Sequence, residues 1–204
     1  MKKNAIFLLI VLLAGCTTGS RNAVPPNVYD FGQPARFVTE GDAAKIGARI
    51  ALEVWSAPWL DTTHIDYRLY DDPLKRRQYA DSRWAAPPRA MVAQQLRRQL
   101  GFVNINGGVA VDCLLRVELH EFSHVFRSSQ ESRGVLQGQF SLIDGKRRHV
   151  AVRPVSIEVA AAEANAQGGV GALVQSSMEM GQELAAWLNQ LDKSNGLGGC
   201  GSGR

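Results

Sequence analysis

Net charge is nearly absent from this sequence. Its 23 Lys and Arg face 19 Asp and Glu, a formal +4, which is too little to draw a nucleic acid. The basic clusters Lys75-Arg76-Arg77, Arg97-Arg98 and Lys146-Arg147-Arg148 are short and well separated, so they read as solvated faces. Long apolar runs are also missing. The one sustained stretch, Ala5 to Ala14, falls well short of the ~20 residues that cross a bilayer as a helix. Two familiar catalytic signatures are absent too. Ser82, Ser123 and Ser141 have no Gly-x-Ser-x-Gly setting, and Gly168-Gly169-Val170-Gly171 lacks the Lys-Ser/Thr of a phosphate-binding loop. The carboxylates show no distinctive pairing. What remains is an ordinary globular composition, 45% hydrophobic and 21% charged, in a chain long enough for one domain with its own core.

The N-terminus is distinctive. Lys2-Lys3, the apolar run and Leu13-Ala14-Gly15-Cys16 form a basic, apolar and small-residue series that marks a secretory leader over residues 1–15. Leu-Ala-Gly-Cys resembles the bacterial lipobox. That resemblance implies cleavage before Cys16, diacylglycerol on its sulfur and an acyl chain on the new amine, and several chains together anchor a protein firmly. Loss of Lys2 and Lys3 would leave 21 basic side chains against 19 acidic ones. By analogy with bacterial lipoproteins, Thr17, where an inner-membrane retention signal has Asp, points to the outer membrane. Residues 16–27, rich in Thr, Ser, Gly and Asn with Pro25-Pro26, have the composition of a flexible tether.

The domain follows over residues 28–191. Val28 to Phe31 suit a short strand, Gln33 to Asp42 show no period, and Ile50, Leu52 and Val54 alternate as a strand. Ile65, Tyr67 and Leu69 alternate with His64, Asp66 and Arg68. Asp71-Asp72-Pro73 supplies turn chemistry, and Lys75 to Tyr79 return as the hairpin partner. Pro87-Pro88 suits a helix entry, with Met91, Val92, Leu96 and Leu100 as its apolar stripe before Gly101. Val109 to Leu119 alternate strictly, Val135 to Ile143 form another strand, and Asp144-Gly145 is a hairpin turn in which Gly accepts positive φ. Along the return strand the apolar phase flips at Pro154, which predicts a break there. Val170 to Leu191 repeat at three and four residues and predict a second helix. Residues 192–204 are Gly-rich and predict disorder. Two main helices packed on a mostly antiparallel sheet of about six strands make an α+β domain.

Four segments carry a family resemblance: Tyr29-Asp30-Phe31-Gly32, Pro58-Trp59-Leu60-Asp61, Ile65-Asp66-Tyr67-Arg68 and Ser82-Arg83-Trp84-Ala85-Ala86-Pro87-Pro88. In this order, behind a lipoprotein leader, they resemble the ABC-transport auxiliary lipoproteins. The similarity spans roughly Cys16 to Leu191, and the Gly-rich tail departs from it. The resemblance implies a lipid-anchored, periplasm-facing component of an ABC or mammalian-cell-entry (MCE) transport system, moving lipid or hydrophobic solute between membranes. It also implies an MCE-domain or ABC partner and self-association into a ring. It implies no enzyme activity, no cofactor, no metal and no nucleic acid.

One motif points elsewhere. His120-Glu121-Phe122-Ser123-His124 matches H-E-x-x-H, in which two His of a helix hold zinc and the Glu activates water. The rival function is therefore a lipid-anchored zinc hydrolase, with Glu158 or Glu163 as a third ligand. The mechanism requires a helix, because residues four apart on a strand stand roughly 13 Å apart. The alternation of Val109 to Leu119 favours a strand, with His120 and His124 on its solvent side. Trp55, Trp59 and Tyr70 are candidate partner-binding aromatics, whereas Trp84 suits the core. An edge strand would give a partner a second route. A bridge between Cys113 and Cys200 is chemically possible in an oxidising compartment. Cys113 on a core face and Cys200 in the tail favour a buried free thiol and a reactive odd one.

Overall fold

In the computed structural model the described residues are 25–32, 47, 49–104, 111, 113–197 and 200. The leader, most of the tether and the segment 33–46 lie outside them. The longest strand, β6 (Cys113–Phe126), is the axis of the sheet. Its first half, Cys113 to Leu119, lies parallel to β2 (Ile50–Ser56). At its far end His124 and Val125 lie parallel to β3 (His64–Leu69). Along its other side β6 pairs antiparallel with β7 (Ser132–Asp144), which pairs with β8 (His149–Ala160). The remaining strands are β4 (Asp72–Trp84), antiparallel to β3, β1 (Asn27–Tyr29), parallel to β4, and the two-residue β5 (Val103–Asn104) beside β2.

The sheet is therefore mixed, with seven strands of three residues or more plus β5, and not the mostly antiparallel six-stranded one expected. Alternation and turns identify strands joined by hairpins. They say nothing of parallel pairs such as β2 with β6, which are joined only by a crossover through β3, β4 and a helix.

Both helices form where their stripes predict, and both lie on one face of the sheet. In α1 (Pro88–Leu100) Pro88 occupies the first turn, where a missing N–H costs nothing. Gly101 ends the helix at φ 69°, donating its N–H to the Arg97 carbonyl at 2.9 Å. The long α2 (Ala166–Lys193) is capped by Asn165, whose Oδ1 accepts from the Gly168 N–H at 2.9 Å. It crosses β6, β7 and β8, while α1 packs on β2 and touches α2. Its buried stripe includes Met180 and Trp187, with Met178 only half-buried. Gly134 of β7 lets α2 approach closely, since a Cβ there would stand 2.6 Å from the Ala172 backbone.

Three local expectations are corrected. The hairpin turn after Asp144 takes its left-handed residue at Arg147 (φ 63°). The Asp144 carboxylate instead holds the turn by accepting the N–H groups of Lys146 and Arg148. The register break in β8 falls at Val150, because Leu142 pairs with Ala151 and Ile143 with His149. Pro154 remains in register opposite Gln139, and an outermost strand tolerates its missing N–H. Finally, Cys113 and Cys200 form a disulfide, with Cα atoms 5.4 Å apart across a sequence separation of 87. Neither thiol is free: both are buried, and the chain beyond α2 returns to the start of β6 at Cys200.

Candidate functional site

The H-E-x-x-H segment lies wholly in β6, and a β-bulge divides it. Leu119 pairs with Gly138 and Glu121 with Gln137, which leaves His120 without a partner. One extra residue reverses the side-chain phase beyond it. Cys113, Leu115, Val117 and Leu119 face the helices before the bulge, and Phe122 and His124 do so after it. His124 is thus fully buried, not on the solvent side as expected, while His120 is exposed and stands 3.7 Å from Glu118.

Burial determines the chemistry of His124. It lies beneath Gly169 of α2, where any Cβ would strike the imidazole. Its ring meets Phe126 at 4.5 Å, and its Nδ1 is 2.8 Å from the Tyr79 hydroxyl. Desolvation pushes its pKa down to about 4 and pushes the Tyr79 phenol well above its usual range. The neutral imidazole shares one hydrogen bond between Nδ1 and the Tyr79 hydroxyl, whose direction follows the tautomer, and its buried Nε2 has no hydrogen-bond partner among the described residues.

Glu121 faces the opposite side of the sheet. Its Oε2 accepts from Arg68 Nη2 at 2.9 Å and Nε at 3.2 Å, and from Arg76 Nη2 at 3.0 Å. The other terminal nitrogen of Arg76 donates to Asp66 at 2.9 Å. Asp66 is only 4% exposed. Burial raises its pKa, and the Arg76 guanidinium opposes that rise. The three chemical groups of the motif thus point to three places. His120 and His124 stand roughly 13 Å apart along the strand, whereas one zinc ion needs both at about 2 Å. Glu158 is engaged by Arg127 at 2.9 Å and Glu163 by Asn165 at 2.6 Å. Among the described residues no group of three His, Cys, Asp or Glu is placed to hold a metal ion.

The arginine network holds a projection in place. Tyr67 pairs with Arg77 and Leu69 with Asp72, so Pro73 to Arg76 stand against Arg68 alone. The surplus chain is pushed out, and Leu74 is 93% exposed. Arg68 donates to the Pro73 carbonyl at 3.1 Å, and Arg76 reaches back to Asp66 and Glu121. Sequence reasoning took Lys75 to Tyr79 as a plain hairpin return and missed this bulge. The signal was Pro73 inside a strand-like run, together with arginines at positions 68 and 76 that had no assigned partner.

Trp55, Trp59 and Tyr70 are all exposed, at 56%, 59% and 57%. Arg116 lies 5.3 Å over the Trp55 ring and donates to Glu53. The fold does not gather the three into one patch. Trp55 stands opposite Glu118 and Arg68 opposite Val125 of the same strand, so Trp55 and Tyr70 are more than roughly 20 Å apart at the rise of a strand. Trp84 is buried between Phe31 and Phe122, at 5.8 Å from each. A cleft of about 300 Å³ over α1 contains Phe31, Met91, the buried Gln95 amide and Arg98. A second of about 370 Å³ lies between the end of β8 and the start of α2. Neither places a nucleophile against a base. No helix among the described residues is long and apolar enough to cross a membrane.

No family model matches the sequence, and no curated protein matches it. Among solved structures, the fold is similar to that of a DUF330 protein from Xanthomonas campestris. The TM-score is 0.60 at 19% identity, over 71% of this chain and 87% of the other. A second similar structure, of an uncharacterized protein, gives a TM-score of 0.62 at 15% identity over 81% of this chain and 99% of that one. The fold is thus a DUF330-like mixed sheet with both helices on one face.

Proposed function

We propose that this chain is an outer-membrane lipoprotein of the PqiC-like, ABC-transport auxiliary kind. It faces the periplasm and works without catalysis, by anchoring and docking, in an MCE or ABC system that moves lipid or hydrophobic solute between membranes. The observation that carries the reading is Leu13-Ala14-Gly15-Cys16 ahead of a domain whose one enzyme-like motif is dispersed along a bulged strand. Cys16 supplies the anchor, the segment to residue 27 the reach, and the sheet domain the docking surfaces. The likeness to a DUF330 fold supports the same reading. Ring formation and the exposed Trp55 and Trp59 are part of the proposal as contacts with copies and partners.

Crosslinking in intact cells, followed by identification of the bound protein, tests it. Recovery of an MCE-domain or ABC-transporter component is the expected result. Stoichiometric zinc in the purified chain, lost with a hydrolase activity in His124→Ala, would contradict it.

A further inference from the structure

We infer that the bulge at Pro73 to Arg76 is a membrane-facing tip, which seats Leu74 and Tyr70 in the interfacial region of the bilayer to which the chain is tethered. The inference rests on the lipid-anchored reading of Cys16. A large apolar side chain that is 93% exposed is unusual on a rigid element, and this one is held out. Arg68 grips the Pro73 carbonyl and Arg76 grips Asp66 and Glu121, so Leu74 cannot fold back without breaking that network. Beside it Tyr70 is 57% exposed, an amphipathic ring of the kind that settles at headgroup level.

The charge of the tip fits a bilayer surface. Arg68 and Arg76 are neutralised by Glu121 and Asp66, and Arg77 lies 3.6 Å from Asp72. The exposed Lys75 has a stem long enough to carry its ammonium out to the headgroups, and its charge offsets that of the exposed Asp71 carboxylate beside Tyr70. Charge therefore does not oppose the approach, and the apolar contact sets it.

Topology directs the tip to the membrane. β1 runs parallel to β4, with Asn27 beside Ser82. The first residue of β1 therefore points back along β4, towards the end of the sheet where β4 begins and the tip stands. From Ser82 back to Asp72 is ten residues of β4, at most roughly 33 Å. The eleven residues from Cys16 to Pro26 span at most ~36 to 40 Å when extended. A tether of that length is thus long enough to reach the level of Leu74. One leucine and one tyrosine do not hold a protein on a bilayer alone. On a chain already confined there, the effective concentration is high enough for them to set its orientation.

The test separates the tip from the anchor. The chain Thr17 to Arg204, which retains every described residue, is fixed by an N-terminal oligohistidine tag to nickel-chelating lipid. The vesicles are of phosphatidylethanolamine and phosphatidylglycerol. A solvatochromic thiol dye is placed by Leu74→Cys, or by Val152→Cys on β8 as a reference exposed site. Dye at position 74 is expected to shift to the blue, and nitroxides near the headgroups should quench it at least about twofold more than dye at 152. Equal, water-like signals at both positions overturn the inference and assign the tip to a protein socket. Unchanged thermal unfolding of both labelled chains shows that the bulge survives labelling. Intact mass of the native chain tests acylation of Cys16 independently, so either idea can fail while the other stands.

Discussion

His124 is held neutral by the weight of protein above it, and that makes acid its weakness. Its pKa falls from 6.5 to about 4 in the fold, so between those values the unfolded chain binds more protons than the folded one. Its contribution is fully present above about pH 6.5 and is lost as pH falls towards 4, by about 3 kcal/mol in total. Thermal unfolding from pH 7.5 to pH 4.5 should show this loss, and His124→Phe should flatten most of it. Glu121 gives a second prediction. In Glu121→Gln the side chains of Arg68 and Arg76 lose a charged acceptor that is only 15% exposed. The chain should lose about 1 to 3 kcal/mol in urea unfolding. A catalytic glutamate would instead leave stability nearly intact and abolish an activity.

The elements were legible where one rule held along their whole length. Met91, Val92, Leu96 and Leu100 marked α1, and the alternation of Cys113 to Leu119 marked β6. Reading broke down where the rule changed within an element. A single unpaired residue, His120, turned His124 from solvent to core, and four residues opposite Arg68 turned a plain hairpin into a projection. Neither leaves a composition signal, because a bulge is a matter of pairing and the partner strand is remote in sequence. The Cys113–Cys200 bridge was hidden in the same way, by a sequence separation of 87. Closing so long a loop should stabilise the domain by about 4 to 5 kcal/mol in the chain-entropy account. Cys200→Ser should therefore unfold at a correspondingly lower denaturant concentration, with no added effect of reductant. Where α2 crosses β6, Gly169→Ala should cost about 1 to 3 kcal/mol, since the new methyl meets the His124 ring.

At the scale of the molecule, the sheet has one face under two helices and one bearing exposed aromatics and paired charges. Its first described strand, β1, runs in the same direction as β4, away from the end where Leu74 projects. On the proposed reading, the Leu-Ala-Gly-Cys leader holds this body beside a bilayer, where it presents its surfaces to partners. The most direct test compares the acylated protein with the chain from Thr17 to Arg204, exported free into the periplasm at equal abundance. Each is expressed in cells lacking the native copy, and movement of labelled phospholipid between the two membranes is the readout. The account predicts that the acylated protein restores transport and the free chain does not. Full restoration by the free chain would contradict it.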